Sequence, residues 1–313
     1  MSLEHARKLG PEASANLLRV RMDPAARVHL LCATDLTPRS QRAVARAILL
    51  ANQLGAKLTF LHVFGEGQGL HGIEGVRDEL IHQIASTGLP VRHDPQIEVR
   101  AGEYVETIAG VAKEVGADIV ILGARRRNPI APLIGTTAER IIALAERPAL
   151  IVNLNPKVRY GAVVITAELS DEFTRVVRVA SSLKFLEAAS ISVVHGFESP
   201  YMGALYAQGF DIQAAQRNLD AWERAARDRL LMNFEGAGVD SSRFRIIFQQ
   251  TRPIRAVQRV VRSVQPELLI VGTKDRSMFN RMARGSVAYD SLRTIECDVL
   301  VAPRETEVTG ALH

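Results

Sequence analysis

Cysteine is nearly absent from this sequence. The two that occur, Cys32 and Cys297, each sit in an apolar run. That excludes a disulfide scaffold and fits reduced, buried thiols of a cytoplasmic protein. Aromatic residues are scarce, at 5% against 47% hydrophobic overall, so the cores must be mostly aliphatic. No apolar stretch approaches the ~18 residues of a membrane helix. The N-terminal MSLEHARKLG has no apolar core. Neither a membrane partner nor a signal peptide is therefore expected. The formal net charge is only +5 and the arginines are scattered, so no nucleic-acid partner is expected. The eight histidines show no metal-ligand spacing. Gly272-Thr273-Lys274 has the wrong order for a Walker A loop. Asp35 and Glu168 lack the adjacent acids that a receiver domain would need. No nucleophile elbow and no paired general acid and base can be assigned, so a conventional enzyme is not expected.

What the chain does contain is one pattern, twice. HLLCATDLT (29–37) is an apolar run ending in an acid, and AVVITAELS (162–170) returns it. DIVILGARRRNPIAPLIGTTAER (118–140) is an apolar run, a glycine, a basic loop and a Gly-Thr that opens a helix. ELLIVGTKDRSMFNRMARGSVAYD (267–290) is its counterpart. Asp35 pairs with Glu168 and His62 with His195, both at one and the same offset. Asp118 pairs with Glu267 and Gly123 with Gly272, both at a second, longer offset. The second copy has therefore gained an insertion between its second and third strands. Such consistent pairing means tandem domains of one fold, and 313 residues suit two of them.

The expected strands of the first copy are 28–34, 57–63, 96–101, 118–124 and 148–154. Those of the second are 161–167, 189–197, 243–249, 267–273 and 298–303. They are continuous apolar runs, as in parallel strands buried on both faces. Helical patterns alternate with them. Over 38–54, Val44, Ala47, Ile48, Ala51 and Leu54 share a face, with Thr37-Pro38 as the start signal and Gly55 as the stop. The 211–235 segment, carrying Trp222, reads as one long helix. The expected fold class is α/β, with two tandem Rossmann-like domains. Each is an open five-stranded parallel sheet with helices on both faces. The expected boundaries are a tail at 1–26, domains at 27–155 and 156–304, and a tail at 305–313.

In an open parallel sheet, ligands sit beyond the carboxyl ends of the strands. A helix start with small residues before it suits phosphate, because backbone N–H groups face the anion. Gly135-Thr136-Thr137 supplies such a start, with Glu139 completing a capping box, and Gly285-Ser286 is its counterpart.

These motifs, from about 27 to 303, resemble the universal stress protein family in its tandem form. The resemblance implies an adenine nucleotide α-hydrolase-like fold and a stress-response role. It also implies ATP as ligand, with Mg as its companion. The first-strand positions are Ala33, Thr34 and Asp35, matched by Thr166, Ala167 and Glu168. Val63, ending the second strand, matches the position whose backbone meets the adenine. The family's Gly-x2-Gly-x9-Gly-Ser/Thr loop falls on Gly123, Arg126, Gly135, Thr136 and Thr137, and on Gly272, Gly285 and Ser286. Both copies depart from it. Arg126 replaces the second glycine in a loop one residue short, and Asp275 replaces it in the second copy. A carboxylate ~4 Å from a phosphate costs about 1 kcal/mol in water and about 4 at an effective dielectric of 20. ATP is accordingly expected mainly in domain 1.

Other readings stay open. Asp35 serves equally as a helix cap, and Arg125-Arg126-Arg127 as a solvated loop. His62 and His195 read as matching core histidines. The alternative function is a nucleotide-independent interaction or scaffold protein with degenerate loops. A weak ATPase would draw only on Thr136, Thr137 and Ser286. The expected partners are unidentified proteins and a second copy in a homodimer. The two domains are also expected to pair within the chain through their fifth strands.

Overall fold

A computed structural model describes residues 28–65, 71–124, 136–156, 159–198, 212–273 and 287–303. The expected tails, 1–26 and 305–313, lie outside the described residues. The first half runs β1 (His29–Thr34), α1 (Ser40–Leu54), β2 (Lys57–Phe64), α2 (His71–Ser86), β3 (Gln96–Ala101), α3 (Tyr104–Glu114), β4 (Ile119–Gly123), α4 (Thr136–Ala145) and β5 (Ala149–Val152). The second half repeats it as β6 (Ala162–Thr166), α5 (Asp171–Ser182), β7 (Ser190–Phe197), α6 (Ile212–Ala237), β8 (Phe244–Gln250), α7 (Pro253–Val264), β9 (Leu268–Gly272), α8 (Val287–Thr294) and β10 (Asp298–Ala302).

Among the described residues the strands form one sheet, in the order β3-β2-β1-β4-β5-β10-β9-β6-β7-β8. Each half is parallel throughout. The halves meet at one antiparallel pair, in which Leu300 faces Leu150 and Val299 faces Ile151. The expected intramolecular pairing through the fifth strands is what joins them. Each sheet face carries an apolar layer that runs through both halves. One layer takes Val44, Leu80, Phe173 and Leu230 from α1, α2, α5 and α6. The other takes Val105, Ile141, Val257 and Ala288 from α3, α4, α7 and α8. The central strands are buried on both faces, which is why their sequences read as unbroken apolar runs.

The matched acids Asp118 and Glu267 do the same work. Asp118 Oδ2 accepts from His29 N at 2.8 Å, and Glu267 Oε2 from Ala162 N at 2.7 Å. Each anchors the start of the central strand of its half. One expectation shifts. The first helix begins at Ser40, not Pro38, because the preceding residues form a turn. Its stop is as expected, with Gly55 left-handed at φ 63°.

The junction holds a buried charge. Asp298 is wholly buried, and its Oδ2 lies 3.3 Å from Nε of Arg46, itself 3% exposed. Tyr160 donates its hydroxyl to the same oxygen at 2.7 Å, and the Arg46 guanidinium lies 4.1 Å from that ring's centre. Oδ1 accepts from the backbone N–H groups of Asn153 and Leu154, at 2.8 and 2.9 Å. Burial, with Asp298 alongside, raises the Tyr160 phenol well above its ordinary value, so it stays a donor. Removing one partner of a buried ion pair costs about 3–5 kcal/mol, because the other charge is left uncompensated. Asp298→Ala should lower unfolding free energy by that much in urea titration. Glu198→Ala, which breaks the exposed pair with Arg252, should cost about 0–1 kcal/mol. Equal, small losses in both would rule out the buried pair as the junction's anchor.

Candidate functional site

At the carboxyl end of β1 the chain turns sharply into α1. Asp35 Oδ1 accepts from Thr37 N at 3.0 Å and from Thr37 Oγ1 at 2.7 Å, an Asx turn. Thr37 therefore serves Asp35 more closely than it caps the helix, since its contact from Ser40 N is 3.5 Å. Leu36 between them is left-handed, at φ 61°. A bulky residue there costs about 1–2 kcal/mol, and such strain gathers at binding sites. Below the turn lies a buried polar cluster. Thr34 Oγ1 is 2.8 Å from both Ser40 Oγ and Gln83 Oε1, and it accepts from Leu36 N at 3.1 Å. Gln83 also donates to Thr37 O at 3.2 Å. The turn is thus held from beneath.

Beside it opens a cleft of about 850 Å3, within the ~300–1,000 Å3 usual for small-molecule sites. Of the residues expected at the site, Ala33, Thr34, Asp35, Val63 and Gly123 all line it. Its apolar walls include Leu61, Val105, Ile108 and Ile141. Asp35, Glu103, Arg39 and Arg140 bring charge. Glu103 caps α3, accepting from Val105 N and Glu106 N, and Arg140 bonds Glu106 at 2.7 Å. Gly123 is needed for packing, since a Cβ there would lie 3.0 Å from Ser40 Cα. Partial desolvation raises the Asp35 carboxyl, but hydrogen bonds from the Thr37 and Ser40 side chains and from backbone N–H groups outweigh it. The group is held below its ordinary value.

Part of the expected loop is not described. Arg125, Arg126, Arg127, Gly135, Asp275, Gly285 and Ser286 lie outside the described residues. Thr136 and Thr137 are the first two residues of α4.

The second half differs at the same place. Thr166, Glu168 and Gly272 line a pocket of only about 20 Å3. Among the described residues two exchanges stand out, both at positions matched by the offset that pairs Asp35 with Glu168. Phe173 stands where the first half has Ser40, so a 1% exposed ring, packed edge-on to Phe234, takes the place of a polar group. Gly196 stands where the first half has Val63. A Cβ on Gly196 would come within 2.7 Å of both Ala256 Cβ and Pro253 Cα, so α7 presses directly on β7. With valine there, as in the first half, the helix would have to stand off. Gly272 likewise packs against Val176. The paired histidines are structural, as their matching positions suggest. His62 Nδ1 donates to Thr34 O at 2.9 Å and His195 Nδ1 to Ala167 O at 2.8 Å. Trp222 on α6 stacks on Phe197, ring centres 3.8 Å apart, and on His195.

Several residues of the cleft and of the turn beside it carry no signal in the sequence. Gln83 lies in mid-helix without a motif, and Leu36 has no turn chemistry. Glu103 was legible as an acid one residue before a helix. Leu292, from α8 of the second half, also lines the cleft. Only the sheet junction brings it there.

The family model described as "Universal stress protein family" matches residues 27–153 and again 159–303. Among solved structures, a universal stress protein from Archaeoglobus fulgidus shares 17% identity, over 88% of this chain and 98% of that one, at a TM-score of 0.60. A putative universal stress protein from Pseudomonas aeruginosa shares 16%, over 89% and 94%, at 0.58. These likenesses concern the fold. No curated protein matches the sequence.

The Asp35 turn has a pH signature. A carboxyl held below its unfolded value stabilises the fold above that value, ~3.9 for aspartate, and the contribution disappears as pH falls through the folded value. Asp35→Asn should therefore cost stability at neutral pH and make unfolding less acid-dependent below pH ~4. Parallel acid limbs for the two proteins, in thermal melts, would show that the turn does not depend on the charge.

Proposed function

The chain belongs to the universal stress protein family, and we propose that it is a nucleotide-responsive member with one working site. An adenine nucleotide, ATP with Mg, binds in the cleft of the first half, while the second half serves as scaffold. The observation that carries this reading is the contrast between the two copies. Among the described residues, Ala33, Thr34, Asp35 and Val63 all line a cleft of about 850 Å3 in the first half, while in the second Thr166 and Glu168 line a pocket of about 20 Å3.

The residues present fit such a ligand. Leu61, Val63, Val105 and Ile108 offer an apolar slot for a flat base. Asp35, fixed by Thr37 and kept ionised, accepts hydrogen bonds from a ribose. Ala33 and Thr34 complete the floor. For the phosphates the reading draws on Gly123, on the α4 start at Thr136 and Thr137, and, from sequence alone, on Arg126 and Gly135. It assigns no ligand to Gly272, Gly285 or Ser286. Bound nucleotide would bias the surface the chain presents to partner proteins.

A ligand at 100 times its dissociation constant adds ~2.7 kcal/mol, an upward shift of several degrees in the thermal midpoint. We expect that shift for the parent chain with Mg-ATP. It should be lost in Asp35→Ala and kept in Glu168→Ala. No shift in the parent would move function to nucleotide-independent surfaces, the reading that the closed second half favours.

A further inference from the structure

The first-half cleft has a wall that the first half does not supply alone. Leu292, near the end of α8, lines it together with Ile151 and Asn153 at the end of β5. Leu292 is half-buried against the apolar layer that runs through both halves. Asn153 is itself held from the second half. Its backbone N–H donates to Asp298 Oδ1 at 2.8 Å, and its Nδ2 donates to Cys297 O at 2.8 Å. Arg42 of α1 closes on it from the other side, donating to Asn153 O at 2.7 Å. A carbonyl can only accept, so the amide's orientation is set: Nδ2 faces Cys297 and Oδ1 is left as an acceptor. Of these three polar groups that fix Asn153, two belong to the second half.

We infer that the nucleotide site is composite, and that the second half sets the affinity of the first. Leu292 fixes the apolar extent of the cleft, and the Asp298 and Cys297 bonds hold Asn153 at its edge. This rests on the nucleotide reading above. It goes beyond it by making α8 part of the binding surface rather than a distant scaffold.

The chain has one tryptophan, which allows a direct test on the full-length protein. In a Trp222→Phe background, Leu292→Trp places an indole at the proposed wall. Titration with Mg-ATP should change its emission saturably. Overfilling a packed site costs about 1–3 kcal/mol, so affinity should fall at least about fivefold relative to the Trp222→Phe parent. Met232→Ala, at an exposed position on α6 of the second half, should leave affinity unchanged. If the parent gains stability with Mg-ATP but the indole stays silent and affinity is unaltered, the composite site is wrong and the nucleotide reading stands. If the parent itself shows no binding, both fall together. Should Leu292→Trp misfold, Leu292→Ala replaces it. Weaker binding with an unchanged unligated spectrum supports the composite wall, and unchanged binding overturns it.

Discussion

A carboxylate with no access to water organises this molecule. Asp298 begins the last strand and is wholly buried, so its charge must be met within the protein. It is met by Arg46 from the first helix, by the Tyr160 hydroxyl, and by two backbone N–H groups just past β5. These partners come from both halves. An apolar strand pair such as β5 and β10 could slide by two residues and still bury the same faces. A charge with four directional partners cannot. The seam's register and the position of the Asn153 backbone follow from it.

Among the described residues, few exchanges separate the wide cleft of one copy from the small pocket of the other. The backbone plan is shared down to the histidine that bonds the carbonyl at the end of each central strand. Valine at 63 keeps a helix away from the sheet, while glycine at 196 lets the equivalent helix settle on it. Serine at 40 joins a buried polar cluster beneath a strained turn, while phenylalanine at 173 fills the matching space. Neither exchange replaces a glycine of the expected loop. The motif departures at Arg126 and Asp275 change charge in the expected loop, whereas the exchanges at 40/173 and 63/196 change volume at the strand ends.

Much of the architecture was readable from the chain. Continuous apolar runs mark strands buried on both faces, and that signal holds for the inner strands, while the edge strands β3 and β8 are only partly buried. Paired offsets revealed the repeat because identical folds need the same residue types at the same turns. Helix starts were less legible. The side chains of Asp35 and Thr37 took up each other's hydrogen bonds, which moved the first turn of α1 on by two residues. The candidate cleft was half visible. Its strand-end residues follow from topology, but Leu292 and Asn153 depend on a contact between the carboxyl-terminal segments of the two halves. The one hint was Asp298 itself, a lone acid opening an otherwise apolar run.

Carrying both copies on one chain has a consequence for the seam. Two separate chains meeting strand to strand obey mass action and come apart on dilution. Here the partners are tethered by the few residues between β5 and β6. A short tether holds its ends at an effective concentration in the millimolar range, whatever the amount of protein in solution. The central seam, and the wall it lends to the first cleft, is therefore as complete in a scarce protein as in an abundant one.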